Sequence, residues 1–247
     1  MAKWIEGTVV EQIAWTDWLY SLRIDADVGS FEPGQWAKIA VRVAGQLVAR
    51  PYSFVNPPRG KLQEFYYNIV PEGPLSARLA QLEPMDVVFL VPGASGSFVL
   101  SEVAAADNLW LMGTGTGIAP YLSMLRTEAP WERFRTVVLV HAVRHANELT
   151  YRDTLESIRA HRADRFRSVF LVSREAHPGA LSGRIPAAIA SEALERAAGV
   201  PLSARTSQVM LCGNPDMVLD TTEALKARGM KRHRRRDPGH ITVESYW

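Results

Sequence analysis

The chain has 247 residues, 47% of them hydrophobic and 22% charged, with a formal net charge of +2 at pH 7. This length allows one large or two modest domains, and so small a net charge excludes a protein that binds polyanions over its whole surface. The single cysteine, Cys212, excludes an internal disulfide framework and a cysteine-ligated iron–sulfur cluster in this chain.

Targeting and membrane signals are absent from the sequence. The N-terminal MAKWIEGTVV has no apolar signal region, and no window holds the roughly 18 apolar residues of a membrane span. A lone cysteine also suits a reducing compartment. We therefore expect a cytoplasmic protein that does not interact with membranes.

Residues 1–100 contain short β-like runs at close spacing, interrupted by turn residues. Such spacing predicts an antiparallel β-barrel or sandwich. One segment, PLSARLAQL, instead has Leu75, Leu79 and Leu82 at helical spacing. The predicted strands are GTVVEQI, WLYSLRI, WAKIAVRV, LVARPYSFV, LQEFYYNIV and DVVFLVPG.

Residues 101–247 have a different pattern, in which apolar runs alternate with helical segments. This alternation predicts a parallel sheet with helices on both faces, and we place the domain boundary between residues 97 and 107. The six histidines show no metal-binding spacing, so no metal site is expected. The predicted strands are NLWLM, TVVLVHAV, RSVFLVSRE and SQVMLCG, and the predicted helices are IAPYLSMLRTE, ANELTYRDTLESIRA and NPDMVLDTTEALKARG.

Three glycines, Gly113, Gly115 and Gly117, lie between a predicted strand and a predicted helix. Glycine lets the backbone approach a ligand closely, and a helix N-terminus offers free N–H groups to a phosphate. The spacing is G-x-G-x-G, which differs from the G-x-G-x-x-G dinucleotide fingerprint. The segment predicts a phosphate-binding turn, with a ligand-free strand-to-helix turn as the alternative.

Several polar residues follow the predicted parallel strands, where ligands bind in open α/β sheets. Arginines there suit phosphate, and several of them favour the 2′-phosphate that distinguishes NADP from NAD. Each arginine could instead be a solvated surface charge. Cys212 could be a small buried hydrophobe or could face the pocket. The residues concerned are Arg144, Ser173, Arg174, Arg184 and the segment Cys212-Gly213-Asn214-Pro215.

The stretch RPYSFVNPP, residues 50–58, places a cation, an aromatic ring and a hydroxyl close together in a predicted strand. It could be a surface strand end. Alternatively, Arg50 could hold an anion while Tyr52 stacks on a flat ring and Ser53 offers it a hydrogen bond.

Four motifs occur in a characteristic order: RPYS, GTGTGIAP, CGNP and a terminal aromatic pair. Together they resemble the ferredoxin–NADP reductase family, most closely its bacterial flavodoxin/ferredoxin–NADP reductases, over essentially the whole chain. The resemblance implies two domains, an N-terminal antiparallel β-barrel for FAD and a C-terminal α/β parallel sheet for NADP, with the C-terminal tail returning to the FAD. It also implies hydride transfer between NADPH and FAD, and single-electron transfer between FAD and ferredoxin or flavodoxin.

The resemblance assigns the FAD contacts to particular residues. Arg50 would bind the pyrophosphate, Tyr52 would stack on the isoalloxazine, and Ser53 would lie near flavin N5. Trp247 would pack on the adenine, which leaves open what covers the nicotinamide-side face of the flavin. The remaining FAD contacts would be Pro51, Tyr66, Pro74, Leu75, Ser76 and Thr116.

NADP contacts and catalytic groups are implied in the same way. Ser53, Cys212 and Glu244 would be the catalytic residues, acting by orienting the reactants rather than as covalent nucleophiles. Arg144, Ser173, Arg174 and Arg184 would contact the 2′-phosphate. Further NADP contacts would be Gly115, Val143, Asn214, Pro215 and Asp216.

The segment KRHRRRDPGH, residues 231–240, concentrates positive charge near the C-terminus. It could form a rim that docks an acidic electron carrier, or it could be an ordinary solvated surface. A nucleic-acid arm is disfavoured because the run lacks interleaved aromatic residues. We therefore expect ferredoxin or flavodoxin as partner, no nucleic acid, and a monomer.

Three other functions stay open from the sequence. The protein could be a flavin reductase that releases reduced free flavin. It could be an electron-transfer subunit of a larger complex, although such subunits often carry a cysteine-bound cluster. Finally, it could be a non-catalytic nucleotide-binding or nucleic-acid-binding protein.

Overall fold

The computed structural model describes residues 3–246. The N-terminal part forms a six-stranded antiparallel sheet in the order β4-β3-β6-β1-β2-β5. A bridge between Phe54 and Phe65 joins the end of β4 to β5, so the two outer strands of this order meet and the sheet closes into a barrel. The strands are β1 (Ile5–Ala14), β2 (Leu19–Asp25), β3 (Trp36–Val43), β4 (Gln46–Ser53), β5 (Leu62–Asn68) and β6 (Val87–Leu90).

The barrel interior is filled by apolar side chains contributed by almost every strand. Leu22, Ile24, Ile39, Phe65 and Leu90 are all fully buried. The predicted helix at PLSARLAQL is a single turn, α1 (Ser76–Leu79), on which Leu79 faces the same core. Burial of these side chains supplies the main stabilisation of the domain.

The C-terminal part forms a six-stranded parallel sheet in the order β10-β9-β8-β7-β11-β12. Its central strands are buried on both faces, because neighbouring residues such as Trp110 and Leu111 pack into different cores. The strands are β7 (Asn108–Thr114), β8 (Thr136–Val143), β9 (Phe166–Val172), β10 (Leu181–Ser182), β11 (Ser207–Gly213) and β12 (Ile241–Ser245). The helices are α2 (Ala119–Leu125), α3 (Ala129–Arg133), α4 (Arg152–His161), α5 (Ile185–Ala190), α6 (Ala193–Ala198) and α7 (Pro215–Ala227).

The two sheets confirm the predicted fold class, an antiparallel barrel followed by a parallel α/β sheet. All strands of the first sheet end by Leu90, and all strands of the second begin at or after Asn108. The division into residues 1–100 and 101–247 stays a prediction. No helix within residues 3–246 is long and apolar enough to cross a membrane.

Two details differ from the sequence prediction. The helix expected across residues 146–160 begins only at Arg152, after a 3₁₀ turn at Ala146–Glu148 and a left-handed Tyr151 with φ of 57°. The short strand β10 and the C-terminal strand β12 were not predicted. β12 adds to the parallel sheet beside β11, pairing Cys212 with Glu244.

Candidate functional site

The segment RPYS forms the end of β4, paired with β3. Arg50 is exposed, and its Nη1 donates a hydrogen bond to the carbonyl of Ala49 at 2.7 Å. Tyr52 packs edge-on against Tyr67, with ring centroids 5.9 Å apart, and burial raises its pKa to about 12. The solvent-exposed guanidinium of Arg50 therefore lies near the half-buried, neutral ring of Tyr52. Pro51 is tolerated here because β4 is an outer strand of the sheet order.

The three predicted catalytic residues meet around Tyr246. The Tyr246 hydroxyl donates to Ser53 Oγ at 3.1 Å, and it is also hydrogen-bonded to the Cys212 thiol. Cys212 and Glu244 are register partners on β11 and β12. The backbone N–H of Tyr246 donates to Gly213 O at 3.0 Å, which fixes the chain just after β12. The C-terminal strand thus brings the barrel and the parallel sheet together at one point.

Burial controls the protonation of this cluster. It raises the pKa of the Cys212 thiol well above its usual value, so the sulfur is a neutral thiol and not a reactive thiolate. It raises the pKa of Glu244 to about 7. Among residues 3–246, Glu244 Oε2 is buried without a hydrogen-bond partner. A carboxyl in this state can donate or accept a hydrogen bond with a ligand near neutral pH.

The glycine turn after β7 packs tightly on one side and is open on the other. A Cβ on Gly117 would lie 2.5 Å from Cys212 O, so only glycine fits there. Gly115 has φ of +52° with open space around its Cα, and its carbonyl is 3.2 Å from His141 Nε2. Thr116 is buried in the 3₁₀ turn that follows. The turn has the shape that close approach of a ligand to the backbone requires.

A second contact fixes this turn against the CGNP segment. The N–H of Asn214 donates to Thr114 Oγ1 at 3.1 Å. Asn214 also caps α7, because its Oδ1 accepts from Met217 N at 3.1 Å, and Pro215 occupies the first turn. Asp216 is exposed in that turn. Its negative charge favours the helix but opposes an anion placed directly on this helix end.

The predicted arginines come together at the carboxyl ends of β8, β9 and β10. Arg174 N donates to Arg144 O at 3.0 Å, and Ser173 N donates to Val143 O at 3.1 Å. Arg184 follows β10 and precedes α5. All three arginine side chains are exposed. The row is therefore a cationic edge, available to an anionic group such as phosphate.

The remaining predicted FAD contacts lie outside the RPYS strand, and two of those in the 74–76 segment, Leu75 and Ser76, are buried. Ser76 is buried, and its Oγ accepts from Val70 N at 2.9 Å. Leu75, which follows Pro74, is buried as well and precedes the one-turn helix α1. The Tyr66 hydroxyl accepts from Thr150 Oγ1 at 2.9 Å, in the contact between the two sheets. Trp247 lies outside the described residues.

Two aromatic residues of this region were not predicted from the sequence. Tyr67, rather than Tyr66, is the neighbour of Tyr52, because successive side chains of a strand point to opposite faces. Tyr246 was noted only as part of the terminal aromatic pair, yet it connects Ser53 with Cys212. The alternation in ITVES, residues 241–245, could have predicted the strand β12 but not its position beside β11, on which the contacts of Tyr246 depend.

The basic segment 231–240 lies away from this cluster. It forms a tight hairpin in which Arg234 and Asp237 exchange backbone hydrogen bonds of 3.0 and 2.8 Å. The hairpin leads into Ile241, the first residue of β12, whereas Glu244 and Tyr246 are at the other end. Within residues 3–246, no group of three His, Cys, Asp or Glu side chains could hold a metal ion.

Comparison with known proteins agrees with this geometry. The model of the family described as "Oxidoreductase NAD-binding domain" matches residues 111–223. Flavodoxin/ferredoxin–NADP reductases of Shigella flexneri and Escherichia coli (strain K12) are 47% and 46% identical over 248 residues, covering all of each chain. A ferredoxin NADP⁺ reductase structure from Neisseria gonorrhoeae, with bound FAD and NADP, superposes with a TM-score of 0.94 at 31% identity over all of both chains. The chain therefore belongs to the ferredoxin–NADP reductase family.

Proposed function

We propose that this protein is a ferredoxin/flavodoxin–NADP reductase, a flavoenzyme that transfers a hydride between NADPH and FAD and single electrons between FAD and ferredoxin or flavodoxin. The observation that carries this proposal is the meeting of Ser53 from the barrel with Cys212 and Glu244 from the parallel sheet. The names of the relatives and the FAD and NADP in the Neisseria structure support it.

The barrel residues fit FAD. Arg50 offers an exposed guanidinium for a pyrophosphate, and Tyr52 offers a half-buried ring for stacking. Bound there, FAD supplies an acceptor for a two-electron hydride that can release electrons one at a time. We assign the remaining contacts to Pro51, Ser53, Tyr66, Pro74, Leu75, Ser76, Thr116 and Trp247.

The parallel sheet fits NADP for a different reason. Its exposed arginines stand in a row at one sheet edge, and the Gly115 backbone is open nearby along the same edge. Arg144, Arg174 and Arg184 carry a charge that does not titrate in the physiological range, which favours the additional phosphate of NADP over NAD. We assign the other contacts to Gly115, Val143, Ser173, Asn214, Pro215 and Asp216.

The protein groups orient the reactants and hold protons. Tyr246 directs its proton to Ser53 Oγ, which leaves the serine O–H free to donate to another acceptor. Cys212 stays a neutral thiol, so it packs against the reacting groups without acting as a nucleophile. Glu244, with its pKa raised to about 7, can hold a proton at its unpartnered Oε2. Close packing of Gly117 on Cys212 excludes water behind the site.

We also propose that the protein is a cytoplasmic monomer that does not bind nucleic acid. The lone buried Cys212 supports a reducing compartment. Ser53, Cys212 and Glu244 come from one chain, so the catalytic group does not need a second subunit.

An anaerobic absorbance titration tests the function. We expect the purified protein to show flavin bands that bleach with NADPH at far lower concentration than with NADH. Flavin that responds to neither nucleotide would contradict the role of the parallel sheet. Protein that stays colourless after incubation with FAD would contradict the role of RPYS.

A further inference from the structure

A chain of buried hydrogen bonds crosses the contact between the two sheets, outside the site described above. It is built around Tyr151, which precedes α4 in the second domain. The Tyr151 hydroxyl lies 2.5 Å from Ser21 Oγ and donates to Glu64 Oε1 at 2.8 Å. Ser21 and Glu64 belong to β2 and β5 of the barrel, and all three side chains are buried. A single hydroxyl thus joins two barrel strands to the second domain.

The direction of each hydrogen bond in this chain is determined. Tyr151 has one proton, which goes to Glu64, so Ser21 must donate to Tyr151. Ser21 in turn accepts from Trp15 Nε1 at 2.8 Å. Burial raises the pKa of Tyr151 well above its usual value, so its proton is retained at physiological pH. The chain has one consistent arrangement, which makes it a rigid connection.

Glu64 is also approached by cations from both domains. Arg23 Nε lies 3.6 Å and Arg126 Nη1 lies 3.8 Å from Glu64 Oε2. Arg23 is on β2, whereas Arg126 follows α2. Because a buried carboxylate needs such partners, Glu64 favours the one domain arrangement that keeps Tyr151 and Arg126 close.

The loop that ends at Tyr151 begins at the cationic row. The N–H of Arg144 donates to Oε2 of the buried Glu148 at 3.0 Å. Thr150 donates to the Tyr66 hydroxyl, next to the Tyr151 contacts. Tyr151 itself has left-handed backbone angles, φ 57° and ψ 25°, which are costly for a bulky side chain. The backbone is held in this conformation because both ends of the loop are anchored.

We propose that Tyr151 is a positioning residue, whose hydroxyl between Ser21 and Glu64 fixes the Arg144 loop and the second domain relative to the barrel. This inference rests on the proposed function, in which FAD binds the barrel and NADP the parallel sheet. The alignment of the two bound rings then depends on how the domains are oriented. Hydride transfer is sensitive to this alignment, whereas electron transfer from flavin to carrier does not require the nucleotide.

The variant Tyr151→Phe tests the proposal, because it removes the hydroxyl and keeps the ring. In anaerobic stopped-flow measurements at saturating NADPH, we expect flavin reduction to slow by about 10-fold to 100-fold, the loss typical of a small misplacement. The long-wavelength charge-transfer absorbance between nicotinamide and flavin should weaken in parallel. FAD content, and the rate at which dithionite-reduced enzyme passes electrons to flavodoxin, should stay as in the unmodified protein.

Tyr20→Phe is the matched control, since within residues 3–246 the Tyr20 hydroxyl donates only an exposed hydrogen bond of 3.4 Å, to Asp17 O. If Tyr151→Phe does not fold, Ser21→Ala removes the other bond to the same hydroxyl and is expected to slow flavin reduction several-fold.

Flavin reduction at the unmodified rate in the folded variant would overturn the positioning role. An equal loss in the dithionite-initiated reaction would overturn it too, because that step does not use the nucleotide. If the unmodified protein ignores NADPH, the proposed function itself fails, which is a separate outcome.

Discussion

The two domains present their functional side chains in different ways. In the barrel, Arg50, Tyr52 and Ser53 lie within a regular strand, so their directions follow from the register of β4 with β3. In the second domain, the arginines predicted to bind phosphate follow strands, at the carboxyl edge where β8, β9 and β10 end. Arg144 and Arg184 are therefore placed by loops and not by strand register.

This difference predicts how each domain responds to mutation. A strand-borne residue such as Ser53 keeps its place through the pairing of β4 with β3, whereas a loop-borne arginine depends on a few contacts. The C-terminal strand β12 connects the two arrangements, because Tyr246 follows a strand of the second sheet and bonds Ser53 of the first. Because each set of cofactor-binding residues is held by its own domain, a substitution that impairs cofactor binding in one domain should leave cofactor binding in the other intact.

The largest effect is expected for the double substitution Arg144→Ala and Arg174→Ala. Each charge-assisted hydrogen bond to phosphate contributes roughly 1.5–3 kcal/mol, so the KM for NADPH should rise by at least about 100-fold. Steady-state kinetics with NADPH and NADH measures this. FAD content should not change, and the KM for NADH should move little. An equal loss with both nucleotides would contradict the assignment of the row to the 2′-phosphate.

A smaller loss, in the other domain, is expected for Arg50→Ala. Removal of this guanidinium should weaken FAD binding by about 10-fold to 100-fold, on the same energetic grounds. The FAD dissociation constant can be measured by flavin fluorescence. The matched control is Arg42→Ala, an exposed arginine on the neighbouring strand β3, which should retain FAD. Unchanged FAD affinity of Arg50→Ala would remove this residue from the site.

Glu244→Gln should change mainly how the stability of the folded protein depends on pH. The pKa of Glu244 rises from 4.5 to about 7 on burial, so the folded protein binds a proton that the unfolded chain releases. Below pH 4.5 the carboxyl is protonated in both states, and its burial does not reduce the free energy of unfolding. Above pH 7 it is charged in both states, and its burial reduces the free energy of unfolding by the full amount. The nucleotide-free protein should therefore lose stability relative to Glu244→Gln as the pH rises from 5 to 8.

Thermal unfolding at several pH values measures this difference, since one kcal/mol moves the midpoint by roughly 2–4 °C in a chain of this size. We expect the midpoints of the two proteins to diverge by a few degrees across this range. Parallel curves from pH 5 to 8 would show that Glu244 does not titrate there.

Local patterns predicted most of this fold because each strand has a strong signal of its own. The alternation and turn residues around WAKIAVRV predicted β3 at Trp36–Val43, and the apolar run TVVLVHAV predicted β8 at Thr136–Val143. The helix expected across residues 146–160 was partly wrong for a reason that is not local. Tyr151 adopts left-handed angles while its side chain bonds Ser21 and Glu64, residues 130 and 87 positions away.

The site, like the fold, was predictable only where a local pattern carries the information. The motif order predicted Ser53, Cys212 and Glu244 as site residues, and in the structure they lie around one tyrosine. The importance of Tyr246 and Tyr67 could not be predicted, because it depends on which strands become neighbours. Cys212 and Glu244 are adjacent only through the pairing of β11 with β12, which no short-range pattern reveals.

The smallest effect is expected for the triple substitution Arg234→Ala, Arg235→Ala and Arg236→Ala. These residues precede Ile241, and Glu244 lies about 10 Å further along β12, at roughly 3.3 Å per residue. At that distance they can attract an acidic carrier by long-range steering but cannot line the cofactor. At low salt, flavodoxin should associate a few-fold more slowly with this variant than with the unmodified protein. The difference between the two proteins should disappear near 0.2 M salt, where the Debye length is below about 10 Å and steering is screened. A lower turnover at saturating flavodoxin would instead place these arginines in the docked interface.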